Sequence, residues 1–357
     1  MVMHAPSRRD FLRCSLQISA ISLLSPWVKA SEPAPTLLSA YWGETVNGFG
    51  AINGKVVDLP SRGHAILPLP HGEAIVLSRR LGVWLARINW QRGELLQLAD
   101  AAFDRHFFGH ALLTPDTSTL LTTENNDDTS AGLLGIYEAH TLKRLGEIPS
   151  GGIGPHELLW LVPGKILAVA NGGILTLPET GRTKLNRGAM NPSVALLEWP
   201  SGKLLANYSL PDKALSLRHL ARASDGTLGI AMQAEYASAS QHRDAPLLAL
   251  LPPGGERLIL AEQPAGLMGY GASIAAVGNE FLISAMRGNQ LARWRSNGSP
   301  LPALAIPRPA GIASRGQQAW ISSEEGGIYQ YQAADQSIQR LAGYTQQKWD
   351  NHLVIAT

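Results

Sequence analysis

The sequence predicts an all-β protein, a seven-bladed β-propeller whose ring is closed by N- and C-terminal strands sharing one blade. Three observations carry this expectation. One pattern recurs along the chain: a histidine, a short apolar run, a polar turn, then a second short apolar run. The runs are strand-sized, and the turn signals between them are too dense for helices. Each end of the chain also supplies part of one further unit.

Copies of the pattern begin at His64, His110, His156 and His219, and the first three histidines are 46 residues apart. Two more copies, at Ser273 and Gly311, keep the apolar runs without the histidine. Two further strands complete a unit, as Leu133 to Tyr137 and Arg144 to Ile148 do after His110. Four short strands at this period form a propeller blade. At the C-terminus His352-Leu-Val-Ile-Ala repeats the first strand of a unit, while Leu37 to Trp42, Gly48 to Ile52 and Lys55 to Leu59 supply the other three. Pairing the two ends removes an open sheet edge and locks the ring.

Residues 1–30 read as a twin-arginine signal peptide, leaving 31–357 as a single propeller domain. Arg8 and Arg9 precede Phe11-Leu12, and a modestly apolar stretch follows from Leu16 to Val28. That stretch is broken by Gln17, Ser19, Ser22, Ser25 and Pro26, so it is too short and too polar to remain as a spanning helix of about 20 apolar residues. Val28-Lys29-Ala30 offers small residues where a signal peptidase cuts. The expected partner during export is the Tat translocase, the expected location is the periplasm, and the mature form has no membrane span. With the segment go Arg8, Arg9, Arg13 and Lys29 against Asp10, so the formal charge of +2 falls to −1. A near-neutral chain without a basic stripe argues against nucleic acid as a partner. The single cysteine, Cys14, leaves too, so any metal chemistry must use His, Asp, Glu or backbone oxygen.

In a propeller the first strand of each blade lies innermost. This places His64, His110, His156, His219 and His352 around one mouth of the central channel, with Ser273 and Gly311 at the two remaining equivalent positions. The same mapping brings Arg79, Arg80, Glu124, Asn125, Asn171, Gln233, Arg287, Glu324 and Glu325 near them, and makes Arg79, Glu124, Asn125, Asn171, Arg182 and Arg287 candidate ligand-binding residues. Imidazole suits iron, copper, nickel and zinc, so the histidines are candidate ligands of a transition metal. They equally suit five repeated struts that hydrogen-bond neighbouring strands. Insertions at Glu179 to Asn191 and Glu235 to Ala245 project from the same rim, and the basic segment Gly181 to Arg187 suits a lid, an anion site or a solvated loop. His106 lies just outside the ring. Gly151-Gly-Ile-Gly154 lacks the strand-to-helix context of a phosphate loop, and no G-x-S-x-G nucleophile pattern occurs.

His106-Phe-Phe-Gly-His110, Thr123-Glu-Asn125, Gly154-Pro-His-Glu-Leu158, Ala170-Asn-Gly-Gly-Ile174, Gly181-Arg182 with Leu185-Asn186, and Leu215-Ser-Leu-Arg-His-Leu220 together resemble an uncharacterised family of twin-arginine-exported propellers, domain of unknown function 1513. The resemblance spans essentially the whole mature chain and departs from the histidine pattern at the fifth and sixth blades. It implies a context, periplasmic iron or metal handling beside imelysin-type iron-uptake proteins, and no particular reaction. Three functions follow as expectations. The first is a protein that binds iron, copper or a metal chelate at the histidine-lined mouth, accessory to metal acquisition. The others are an oxidoreductase or lactonase-like hydrolase using the same mouth, and a docking scaffold.

Overall fold

Within the unit Thr36–Thr357 the chain folds into seven four-stranded antiparallel sheets set in a ring, as the repeat predicts. The structure, a computed structural model, describes residues 35–42, 47–51, 54–344 and 348–356. The twin-arginine segment and the peptidase site lie outside the described residues.

The first complete blade is Gly63–Leu69, Glu73–Ser78, Trp84–Asn89 and Glu94–Asp100, paired in that order. Blades with innermost strands Arg105–Leu113, Pro155–Val162, Leu215–Arg222, Gly271–Val277 and Pro309–Arg315 follow in sequence. The seventh joins the ends: Lys348–Ile355 pairs with Leu37–Trp42, which pairs with Asn47–Ala51 and then Val56–Asp58. Each innermost strand touches the innermost strand of the next blade, and Lys348–Ile355 touches both Pro309–Arg315 and Gly63–Leu69. The ring therefore has no gap at its axis.

Strand alternation explains the core, because both faces of a blade are covered by neighbours. Leu38, Ala40 and Phe49 of the shared blade pack with Ile66, Val76, Trp84 and Ile88 of the next. On its other face Leu37, Trp349 and Leu353 pack with Ala313, Trp320 and Ile328 of the sixth blade. Trp349 is 2% exposed and meets the Tyr41 ring edge-on at 6.1 Å. Closure of the ring is thus hydrophobic as well as hydrogen-bonded.

One irregularity recurs and was not visible as a repeat of letters. Every innermost strand shifts register against its second strand at the level of the histidines: Gly63 to Ile66, Phe107 to Ala111, Pro155 to Glu157, Leu217 to His219, Gly271 to Ile274 and Pro309 to Ile312. The closing pair shifts between Ser39 and Tyr41. A bulge adds a residue on one strand and re-aims its side chain. Here it turns side chains inward that strict alternation would bury in the blade. Two glycines mark how tightly this level packs. Gly109 has φ +96°, and a Cβ there would lie 2.7 Å from His64 Cδ2. A Cβ at Gly311 would lie 2.6 Å from the Leu353 nitrogen, so the strand carrying His352 leaves no room for a side chain at this position.

Truncating Trp349 to alanine removes a large buried ring from the closing strand, so a loss of about 3–5 kcal/mol is expected. Urea unfolding of the Trp349→Ala variant measures it, and a loss below about 1 kcal/mol contradicts the closure described.

Candidate metal and ligand site

The bulged strands bring all five repeated histidines together on the axis. Ring centroids are 4.3 Å apart for His64 and His352, 5.0 Å for His64 and His110, and 4.6 Å for His110 with both His156 and His352. His219 lies 4.7 Å from His156 and 5.3 Å from both His110 and His352. Two triads share His110: His64, His110 and His352, and His110, His156 and His219, each with its nitrogens within 4.8 Å of one another. These are histidine groups of a kind that can hold a metal ion.

Hydrogen bonds assign the free nitrogen of several rings. A carboxylate only accepts, so the partner nitrogen must carry the proton. His64 Nδ1 donates to Asp350 Oδ1 at 2.6 Å, and His219 Nδ1 donates to Glu157 Oε2 at 3.0 Å. Both rings therefore present an Nε2 lone pair, the arrangement in which a carboxylate orients a metal-ligating histidine. His64 Nε2 lies 3.2 Å from His352 Nε2. Two imidazole nitrogens bound at ~2.0–2.1 Å to one tetrahedral ion stand about 3.3 Å apart, so this spacing fits shared coordination. His110 Nε2 is buried with no hydrogen-bond partner. His156 differs: its Nδ1 lies 3.2 Å from an Arg218 guanidinium nitrogen, which can only donate, so Nε2 holds the proton. His64 and His219 have ligand character, His110 holds an unspent nitrogen, His352 faces His64, and His156 is a donor.

Above the rings opens a cleft of about 70 Å³, lined by His64, His156 and His219 together with Arg79, Arg80, Arg182 and Arg218, Tyr270 and Gln233. Asp350 is fully buried and also accepts from Arg62 and, at 2.7 Å, from Arg79. Arg182 reaches the cleft from the insertion in the third blade. Asn186 pins that loop, accepting from the Leu175 nitrogen at 2.8 Å and donating to the Gly173 carbonyl at 2.9 Å. Lys184 is bound to Glu235 from the insertion in the fourth. The basic segment is therefore tied down over the channel by both insertions.

Other residues expected near the rim go elsewhere. Glu124 is buried inside its own blade, accepting from Thr122 at 2.7 Å, Tyr137 at 2.8 Å and Arg144 at 2.9 Å. Asn125 Nδ2 donates to the Asn126 carbonyl at 3.0 Å, and Asn171 is spent on Ser150. Arg287 is exposed and stacks at 4.5 Å on Tyr270, one residue removed from the cleft. The mapping fails at these positions because side chains of a strand alternate, so an error of one residue exchanges the two faces. Glu324 is paired with Arg308, and His106 is paired with Asp127 and stacked on Phe108. Sequence reasoning missed Asp350, Glu157 and Arg218. A usable signal existed, since Glu157 and Arg218 adjoin ring histidines in sequence and Asp350 precedes His352 by two.

A family model described as "Protein of unknown function (DUF1513)" matches residues 57–356. Among solved structures, hydrazine synthase of Kuenenia stuttgartiensis is similar at 12% identity and TM-score 0.60, over 84% of this chain and 89% of that one. A functionally unknown protein of Desulfotomaculum acetoxidans is similar at 12% identity and TM-score 0.57, over 89% of this chain and 98% of that one. At such identity these likenesses show the fold alone. No curated protein matches the chain.

Electrostatics keep His64, His110, His156 and His352 uncharged. Burial pulls His64 down to about 4, although Asp350 pulls the other way. Burial, then neighbouring rings and for His156 the Arg218 charge, hold His110, His156 and His352 well below the ordinary histidine range. Burial opposes the Asp350 charge, yet His64, Arg79 and Arg62 hold its carboxyl well below the usual value. Unfolded histidines take up protons near pH ~6.5 and these folded ones resist, so protonation favours the unfolded chain as pH falls. Stability of the metal-free protein is expected to be level above about pH 6.5 and to fall from there towards about pH 4, with a shallower fall in a His110→Gln, His352→Gln variant. Urea midpoints across this range measure it; the same slope in wild type and variant contradicts it.

Proposed function

We propose, for a chain that belongs to the DUF1513 family of proteins of unknown function, that the histidine cluster binds a transition-metal ion, iron or copper. The observation that carries this is the orientation of His64 by the buried Asp350 carboxylate and of His219 by the half-buried Glu157 carboxylate. Struts would spend their nitrogens on neighbouring strands. Here two Nε2 lone pairs and the orphaned His110 Nε2 are gathered on the axis instead. An unsatisfied buried polar group costs about 1–3 kcal/mol, a cost that a metal bond offsets. His64, His110 and His352, which form one triad, would be the ligands, with His219 in the adjoining triad. Neutral imidazoles are the binding form, and imidazole suits iron and copper as it does nickel and zinc, so the choice of iron or copper rests on the proposed setting.

The setting we propose is periplasmic metal acquisition, beside iron-uptake proteins. Its support is the Arg8-Arg9 pattern followed by a removable apolar stretch. The twin-arginine pathway exports folded proteins, which allows a metal to be loaded before export. No described helix is long and apolar enough to cross a membrane. The cleft is too small to bury a large chelate whole: at ~10–15 Å³ of such space per water, 70 Å³ holds about five. A bare ion with small co-ligands is the cargo it suits. The adjoining cleft also supports an oxidoreductase reading, in which the same ion has positions open to a substrate.

Elemental analysis of protein recovered from the periplasm is expected to show about one iron or copper per chain, as a single site requires. A His110→Ala, His352→Ala variant is expected to lose that metal while its β-sheet circular dichroism is unchanged. Unchanged metal in this folded variant contradicts the ligand assignment.

A further inference from the structure

The arginines of the cleft are in excess of what the metal reading uses. Four guanidiniums line one small space: Arg79, Arg80, Arg182 and Arg218. The carboxylates near them are already shared. Asp350 serves Arg62, Arg79 and His64, and Glu235 serves Lys184, Arg187 and, at 3.9 Å, Arg218. Among the described residues neither Arg80 nor Arg182 forms an ion pair; Arg182 instead donates to the Arg80 carbonyl at 3.4 Å. Arg218 is 3% exposed, yet its Nε has no partner, and one terminal nitrogen of Arg80 is likewise buried and unpartnered. Buried like charges with unspent donors are unfavourable unless something negative lies between them. Burial and the charges of Arg218 and Arg182 pull Arg80 down to about 9, which records the same crowding.

We propose that this cleft binds a small oxyanion, of the carbonate, oxalate or phosphate class, held by Arg80, Arg182 and Arg218 and by the Nε2 proton of His156. A guanidinium offers paired donors that match two oxygens of such an anion. His156 fits this role because Arg218 forces its proton onto Nε2, so it belongs with the donors of the cleft and not with the ligands of the ion. The space of about 70 Å³ suits an anion of a few heavy atoms. His64 and His219 line the same cleft, so the anion would also complete the coordination of an ion bound there; this last step rests on the metal reading, whereas the anion site does not.

Calorimetric titration of the full mature chain with oxalate, bicarbonate and phosphate, before and after loading with iron or copper, tests the proposal. At least one of the three is expected to bind before loading, more weakly as salt is raised, and the one that binds best identifies the source class. Arg182→Gln, on an exposed loop, and Arg80→Gln are each expected to weaken it at least tenfold. His156→Gln is expected to weaken the anion several-fold and leave metal content intact, while His110→Ala does the reverse. No binding by any of the three, or equal affinity in Arg80→Gln and Arg182→Gln, overturns the anion site. If the anion binds but no metal does, only the metal reading fails.

Discussion

The buried carboxylate of Asp350 is the interaction on which both the ring and the site depend. It lies in the strand Lys348–Ile355, whose pairing with Leu37–Trp42 closes the propeller. From there it fixes His64 of the next blade and holds Arg62 and Arg79 beside the cleft. Removing one partner of such a buried group costs about 3–5 kcal/mol, far more than a surface ion pair contributes. The same strand supplies Trp349 to the core, Asn351 to the cleft lining and His352 to the histidine cluster. Closing the ring and assembling the site are therefore one event, completed only when the last strand is in place.

Around this anchor the propeller solves a geometric problem. Inward-facing side chains of seven strands crowd a narrow axis, and strict alternation would offer one residue from each at any level. The repeated register shifts let adjacent residues such as Arg218 and His219 both serve the channel. Where space runs out, the side chain disappears, as at Gly311 against the backbone of His352. The result is asymmetric. One sector carries imidazoles with free nitrogens, and the cleft above it is walled by guanidiniums. Carboxylates lie behind both and set which nitrogen of His64 and of His219 is free. A ring of identical struts needs no such division of labour between Asp350, Glu157 and Arg218.

Much of the fold was legible because a repeat of strand-sized apolar runs admits few architectures, and the half-units at the two ends left closure as their natural use. The convergence of His64, His110, His156, His219 and His352 was legible for the same reason: equivalent positions in a radial repeat must face one another. Residues one strand further out were not. Glu124, Asn125 and Asn171 sit on second strands, where one step of register decides between channel and blade interior, and no letter in the sequence marks that step. The bulges were hidden because they change pairing and leave the spacing of the histidines intact. Asp350 was hidden because its partners Arg62, His64 and Arg79 lie nearly the whole chain away, and only closure of the ring brings them near.

Imidazole nitrogens on the propeller axis, with His64 oriented by buried Asp350 and His219 by half-buried Glu157, are proposed to coordinate a metal ion. X-ray absorption spectroscopy of the metal-loaded protein tests it most directly, because imidazole rings leave a multiple-scattering signature that carboxylates and water do not. Three imidazole nitrogens at about 2.0–2.1 Å with that signature are expected. A shell of oxygens alone, or a single imidazole, would contradict this coordination.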